Sequence, residues 1–201
     1  MAEWVALGDR AIRFARPDRP ARALVHAVRG WPGVVDVVVT GGDVAAYFAG
    51  PFAPVSEAAW AARIAALADA PDDPAPGRDV VLHAVYDGPD LASVAAAAGL
   101  AVGEVGPLHA AASYAVEMLG FAPGFAYLTG LPAPLALPRR STPRTRVPAG
   151  ALAIAGGYTA VYPFASPGGW HLIGRVVGPP MFGPAGPRIQ LGDRVRFTPA
   201  P

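Results

Sequence analysis

Over the first 84 residues, short runs of alternating apolar positions take turns with apolar positions spaced three and four apart. Residues 4–16 read as one or two short strands, with Gly8-Asp9 as a turn before Ala11-Ile12-Arg13-Phe14, whose alternation predicts a half-buried face. Asp18 then reads as a helix N-cap with Pro20 in the first turn. Ala21, Leu24, Val25 and Val28 share one face, and Gly30 and Pro32 stop the helix. The β-branched run 34–39 predicts a strand, Gly41-Gly42-Asp43 a hairpin turn and 44–48 the returning strand. Ser56 caps a second helix with an apolar stripe of Trp60, Ile64 and Leu67, the run PDDPAPG at 71–77 ends it, and 79–86 is again strand. Strand, helix, two-strand hairpin, helix, strand is the order of a ferredoxin-like α+β sandwich, assigned to residues 1–84.

From Asp87 the pattern changes. Asp90 is a predicted cap for a short helix over 91–98, Glu104 begins a weak helix interrupted by Gly106 and Pro107, and 114–119 is strand-like. After Gly120 no helical period survives. Short apolar strands near 152–155, 159–162, 171–177 and 194–198 alternate with glycine and proline turns, a spacing that suits a closed β-barrel over residues 85–201. No long-period repeat marks a solenoid.

Composition narrows the chemistry. The hydrophobic share of 53% is ample for a core, although much of it is alanine. A formal net charge of +1 gives no footprint of a nucleic-acid or anionic-membrane partner. The chain has no cysteine, which excludes disulfides, thiolate nucleophiles and cysteine zinc sites. Every basic residue is arginine, so Schiff-base chemistry and a P-loop lysine are absent, and anions must be met by guanidiniums or backbone N–H groups. The start MAEWVALGDR lacks the apolar run of a signal peptide, and no stretch has the length of a membrane span, so a soluble cytoplasmic location is expected. Carboxylates are scattered and histidines far apart, with no metal-ligand spacing.

The most information-rich stretch runs from Gly120 to Arg175, where proline and glycine specify a backbone path through Phe121, Phe125, Tyr127, Tyr162, Phe164 and Trp170. Arg139, Arg140, Arg144 and Arg146 stand within it, pinned by Pro138, Pro143 and Pro148; their forks suit carboxylate or phosphate oxygens, or else a solvated or partner-facing loop. Gly156-Gly157 and Gly168-Gly169 permit close approach to an oxyanion or serve tight turns. Phe125, Tyr127 and Trp170 could wall a pocket, face a partner or fill a core. His109 reads as a general base or a packed core histidine, and His171 as a structural hydrogen-bonding group.

Taken together, Tyr86-Asp87-Gly88-Pro89-Asp90-Leu91, Leu108-His109, Met118-Leu119-Gly120-Phe121-Ala122-Pro123-Gly124-Phe125, Thr142-Pro143-Arg144-Thr145-Arg146-Val147-Pro148-Ala149-Gly150, Ser166-Pro167-Gly168-Gly169-Trp170 and Gly192-Asp193-Arg194-Val195-Arg196-Phe197 resemble the KipI/allophanate hydrolase subunit 1 family. The resemblance implies a ferredoxin-like domain followed by a cyclophilin-like β-barrel. It also implies a non-autonomous part in a bacterial ATP-dependent 5-oxoprolinase, with a KipA-like C-type subunit together with a LamB/YcsF-like A-type subunit, opening the lactam of 5-oxoproline to glutamate. ATP is then a co-substrate of the assembly and Mg2+ its companion, with no metal held by this chain. Alternatives within the family are a KipI-like inhibitor of a histidine kinase and a urea carboxylase or allophanate hydrolase component. Arg144 and Arg146, inside the family motif, are the expected catalytic oxyanion stabilisers, with His109 as acid or base. Pro123, Gly124, Phe125, Arg139, Arg140, Gly156, Gly157, Tyr158, Gly168, Gly169 and Trp170 are the expected substrate- or ATP-binding residues. The family pattern has glutamine where this chain has Tyr158, and also where it has His171.

Overall fold

The computed structural model describes residues 3–51, 56–71 and 77–200, in two compact units, Met1–Pro76 and Gly77–Pro201. In the first unit β1 (Trp4–Ala6), β2 (Ala11–Ala15), α1 (Ala21–Arg29), β3 (Val34–Val39), β4 (Asp43–Phe48) and α2 (Glu57–Ala65) follow the alternation closely. Ala11, Ile12 and Phe14 turn inward while Arg13 and Ala15 face out. Ser56 caps α2 by accepting from the Ala59 N–H at 3.2 Å. Asp18 does not cap α1: Pro20 takes the N-cap position at φ −54°, and no side chain bonds the first turn. Trp60 is buried among Trp4, Trp31 and Phe48, with ring centroids 5.8 to 6.1 Å away, and the Arg63 guanidinium lies 5.1 Å over it.

The sheet order is β1-β2-β4-β3, antiparallel throughout. The strand read at 79–86 does not complete it. That segment, β5 (Asp79–Val85), pairs instead with strands of the second unit, and the edge beside β2 is filled by the N-terminal strand β1. Alternation locates a strand and its buried face, but not the sheet it joins; Leu82 and Ala84 are buried in the barrel core. The units therefore divide at Pro76 and Gly77, not after residue 84. Most of the proline-rich run 71–77 lies outside the described residues.

The second unit continues with α3 (Leu91–Ala98), α4 (Val102–Ala110), β6 (Ser113–Leu119), β7 (Ala126–Thr129), β8 (Arg144–Val147), β9 (Ala151–Ala155), β10 (Tyr158–Val161), β11 (Ser166–Gly168), β12 (His171–Val177), β13 (Phe182–Gly183), β14 (Gly186–Pro187) and β15 (Arg194–Pro199). Seven strands close a barrel in the order β10-β7-β6-β15-β5-β12-β9, with β15 and β5 parallel. The fold class is thus α+β: an antiparallel sheet with helices, then a closed mixed barrel. Helix α4 runs through Gly106 and Pro107, where the sequence predicts a break; Gly106 is needed there because a Cβ would stand 2.9 Å from the Tyr86 ring.

Strand β9 explains how the loop region is held. All five of its residues are buried, because both faces are covered. Leu152 and Ile154 enter the main barrel core with Leu82, Leu128 and Phe197. Ala151, Ala153 and Ala155 face a second cluster formed by Phe125, Tyr162, Trp170 and Leu172. Three alanines on one face leave room for large rings, so the aromatic and proline-rich ribbon packs on the strand as a second layer.

Candidate functional site

The ribbon is anchored on one carboxylate. The segment from Tyr86 to Asp90 lies directly along β12, which Gly88 and Gly174 permit: a Cβ on Gly88 would collide with the Leu172 carbonyl, and one on Gly174 with the Val85 carbonyl. The Asp90 N–H donates to Leu172 O at 3.1 Å, placing Asp90 at the start of α3 and 4% exposed. Its side chain does not cap that helix. Oδ2 instead accepts from the Leu172 N–H at 2.7 Å, while Oδ1 accepts from Arg140 Nη1 at 2.9 Å and Arg144 Nη2 at 2.7 Å. Burial alone would raise the Asp90 pKa, but Arg144, the Leu172 N–H and Arg140 together hold it below the usual carboxylate range. One negative charge thus holds two guanidiniums, and the Arg140 N–H also donates to Gly169 O at 2.8 Å, tying the arginine loop to the Ser166–Trp170 turn.

Beside this anchor lies a cavity of about 100 Å³ lined by Phe121, Phe125, Tyr127, Tyr162 and Trp170, with Arg139 at its edge. The rings meet edge to face: Phe125 stands 5.3 Å from Tyr162 and 5.7 Å from Trp170, and Tyr127 also stands 5.7 Å from Trp170. Gly168 is required here because a Cβ would strike the Tyr162 hydroxyl, whereas Gly169 has ordinary clearance from Pro143 at 3.6 Å. Burial raises the Tyr162 pKa, opposed by the Arg139 charge, so the phenol is protonated at neutral pH.

The structure brings Phe125, Arg139, Gly168, Gly169 and Trp170 to this slot, and Arg140 and Arg144 to the Asp90 anchor. Arg146 is exposed on β8. Gly124, at φ +80°, serves packing: its Cβ would lie 2.8 Å from Phe182 Cβ. Pro123 precedes it in the turn closed by the Phe125 N–H on Ala122 O at 2.9 Å. Gly156 and Gly157 form the exposed turn between β9 and β10, and Tyr158 beside it sets its ring 5.8 Å from that of Tyr127. His171 donates from Nε2 to Pro138 O at 2.9 Å, a structural bond as the sequence suggests.

The geometry gives His109 a packing role in place of the acid or base role expected above. It is fully buried between Tyr114 and Phe197, with Nδ1 2.9 Å from Tyr86 Oη and Nε2 3.0 Å from Thr159 Oγ1. The Thr159 hydroxyl spends its proton on Ala153 O, so it accepts from Nε2–H, and Nδ1 accepts from the tyrosine. Burial depresses the imidazole pKa to about 3. Because the folded value lies below the ordinary 6.5, the unfolded chain binds the extra proton between the two. His109 stabilises the fold fully above about pH 6.5, and that contribution declines as pH falls toward 3. Urea titrations from about pH 7.5 to about 4 are expected to show this slope in the wild type and less of it in His109→Gln.

Asp90, Phe121 and Tyr162 are not singled out by sequence as site residues, whereas Tyr127 is read there as a candidate pocket wall. Asp90 fits a helix-cap pattern, which hides its second role. Phe121 carries a detectable signal only in the backbone: among the described residues it is the non-glycine residue at positive φ, +70°, and it is 62% exposed.

Among the described residues, no group of three or more histidines, carboxylates or cysteines is placed to hold a metal, and no single helix is long and apolar enough to cross a membrane. The site is thus a carboxylate-anchored arginine loop beside an aromatic slot, carried on a closed mixed barrel. The chain belongs to the family described as carboxyltransferase domain, subdomain C and D, which matches residues 5–187, in keeping with the KipI/allophanate hydrolase resemblance. It is 48% identical over 122 residues to the B-type subunit of the 5-oxoprolinase of Escherichia coli O157:H7, covering 59% of this chain and 56% of that protein. It is 43% identical over 119 residues to the B-type subunit of the 5-oxoprolinase of Bacillus subtilis (strain 168), covering 55% and 47%. The match thus spans about half the length of these relatives. The crystal structure of TTHA0988 superposes with a TM-score of 0.76 at 34% identity, over 96% of this chain and 40% of that one.

Proposed function

We propose that this chain is the B-type subunit of an ATP-dependent 5-oxoprolinase, working with a KipA-like C-type subunit together with a LamB/YcsF-like A-type subunit. The observation that carries the reading is the identity of 48% and 43% to two proteins named as this component of 5-oxoprolinase. The slot supports a non-autonomous role. Its lining offers arginine, phenol, indole, phenyl and glycine backbone, with no carboxylate or imidazole to move a proton near neutral pH. His109, sealed in the core and neutral, supplies none either. In this reading the chain binds and orients the lactam, its rings exclude water, and the proton-transferring groups and the ATP site come from the partner subunits. Glutamate formation from 5-oxoproline and ATP is expected only when all three subunits are present. An equal rate without this chain rejects the proposal.

A further inference from the structure

We propose that Arg139 is the specificity-determining residue of the aromatic slot, reading the carboxylate of one small ring seated in the cavity that Phe121, Phe125, Tyr127, Tyr162 and Trp170 line. The identity of that ring as 5-oxoproline rests on the function proposed above; the chemistry of the slot does not. Three observations carry the inference.

The first is division of labour among the arginines. Arg140 and Arg144 are spent on Asp90, whereas Arg139 has no ion pair among the described residues and borders the cavity. No carboxylate lines the cavity, so an incoming anion meets the exposed Arg139 guanidinium with no competing counter-charge beside the aromatic walls. The second is size. About 100 Å³ is well below the roughly 300–1,000 Å³ of sites that enclose drug-sized ligands, so this cavity suits a five-membered ring with one substituent and cannot enclose a nucleotide; Arg139 also lines a wider cleft of about 400 Å³ with Arg140, Thr142 and His171. The third is Phe121. A phenylalanine at positive φ is held against its own preference, and its ring stands 5.2 Å from Phe125 and 6.3 Å from Tyr162, forming an exposed wall of the slot. Backbone strain of this kind persists where the surroundings over-determine it, and it clusters at ligand clamps.

The test follows the Trp170 indole N–H resonance of the full chain during titration with four probes: cyclopentanecarboxylate, 5-oxo-L-proline, 2-pyrrolidone and ATP. Both carboxylates are expected to move the resonance saturably, and 2-pyrrolidone, a ring without the carboxylate, to bind at least about tenfold more weakly. Arg139→Gln is expected to weaken the carboxylates by about 10- to 100-fold and to leave 2-pyrrolidone unchanged. In the assembled complex the same variant should raise KM for 5-oxoproline about tenfold or more without moving KM for ATP. Equal binding of 2-pyrrolidone and cyclopentanecarboxylate, an unaffected Arg139→Gln chain, displacement of the resonance by ATP, or no binding by either carboxylate would each overturn the proposal. Binding of cyclopentanecarboxylate without 5-oxoproline keeps the slot as assigned and rejects the 5-oxoprolinase reading instead.

Discussion

Asp90→Ala is expected to destabilise the barrel unit by about 3–5 kcal/mol in urea unfolding, because it strips the single counter-charge from two partly buried guanidiniums. The Asp90 side chain is 5% exposed, and those of Arg140 and Arg144 are 32% and 23% exposed. The Arg140 N–H bond to the Gly169 carbonyl fixes the backbone from which this guanidinium reaches Asp90. The same bond set predicts a pH dependence. A carboxylate whose folded pKa is depressed contributes stability above its unfolded value, about 3.9, and loses it as pH falls through the lower folded value. Asp90 and Asp193 both fall in this class; Asp193 is held down, against its burial, by Arg78 and by the N–H groups of Arg78 and Gln190. The wild type should therefore lose stability below about pH 4, and Asp90→Asn should lose less over the same interval while starting from a lower plateau. An Asp90→Ala chain within about 1 kcal/mol of wild type at neutral pH would reduce the anchor to a surface ion pair.

Gly174→Ala is expected to prevent the barrel from closing, with no cooperative unfolding transition and loss of soluble protein. The added carbon would collide with the Val85 carbonyl and lie 3.0 Å from Tyr86 Cα, and both obstacles are backbone of β5 and its exit. Nothing flexible is there to yield, and β12 must pair with both β5 and β9 for the ring of strands to join. Gly156→Ala supplies the contrast: that turn has φ +58° but no atom within 4 Å, so the cost should be only about 1 kcal/mol. Thermal melts of the two variants beside the wild type check the pair, and a soluble, cooperatively melting Gly174→Ala protein would contradict the close approach of the two strands.

Both sites depend on contacts that local sequence does not reveal. Alternation and caps locate β2, β3, β4, α2, α3 and β6, since each is fixed by local residues such as Ser56 or the β-branched run at 34–39. The pattern also finds β5 but assigns it to the wrong sheet, because period-two burial is the same whichever partner the strand meets. The short strands β7, β8 and β11 escape it altogether; they lie within the proline and glycine ribbon, where pairing is set by distant contacts such as Arg144 on Asp90. In the same way, family motifs point to the stretch that carries the slot and its anchor but give most weight to Arg144 and Arg146. Local sequence cannot tell which guanidinium a carboxylate about fifty positions away will capture.

Everything rests on the proposed allocation, in which Arg144 holds the loop on Asp90 and Arg139 is left to read the ligand. Its most direct test is to compare Arg139→Gln and Arg144→Gln side by side in the assembled complex, measuring the melting midpoint and KM for 5-oxoproline together. Arg139→Gln should keep its midpoint and raise KM at least about tenfold, while Arg144→Gln should lower the midpoint by roughly 2–4 °C per kcal/mol of lost stability. An Arg144→Gln complex that melts like wild type but binds substrate poorly, beside an Arg139→Gln complex with unaltered KM, would contradict the assignment.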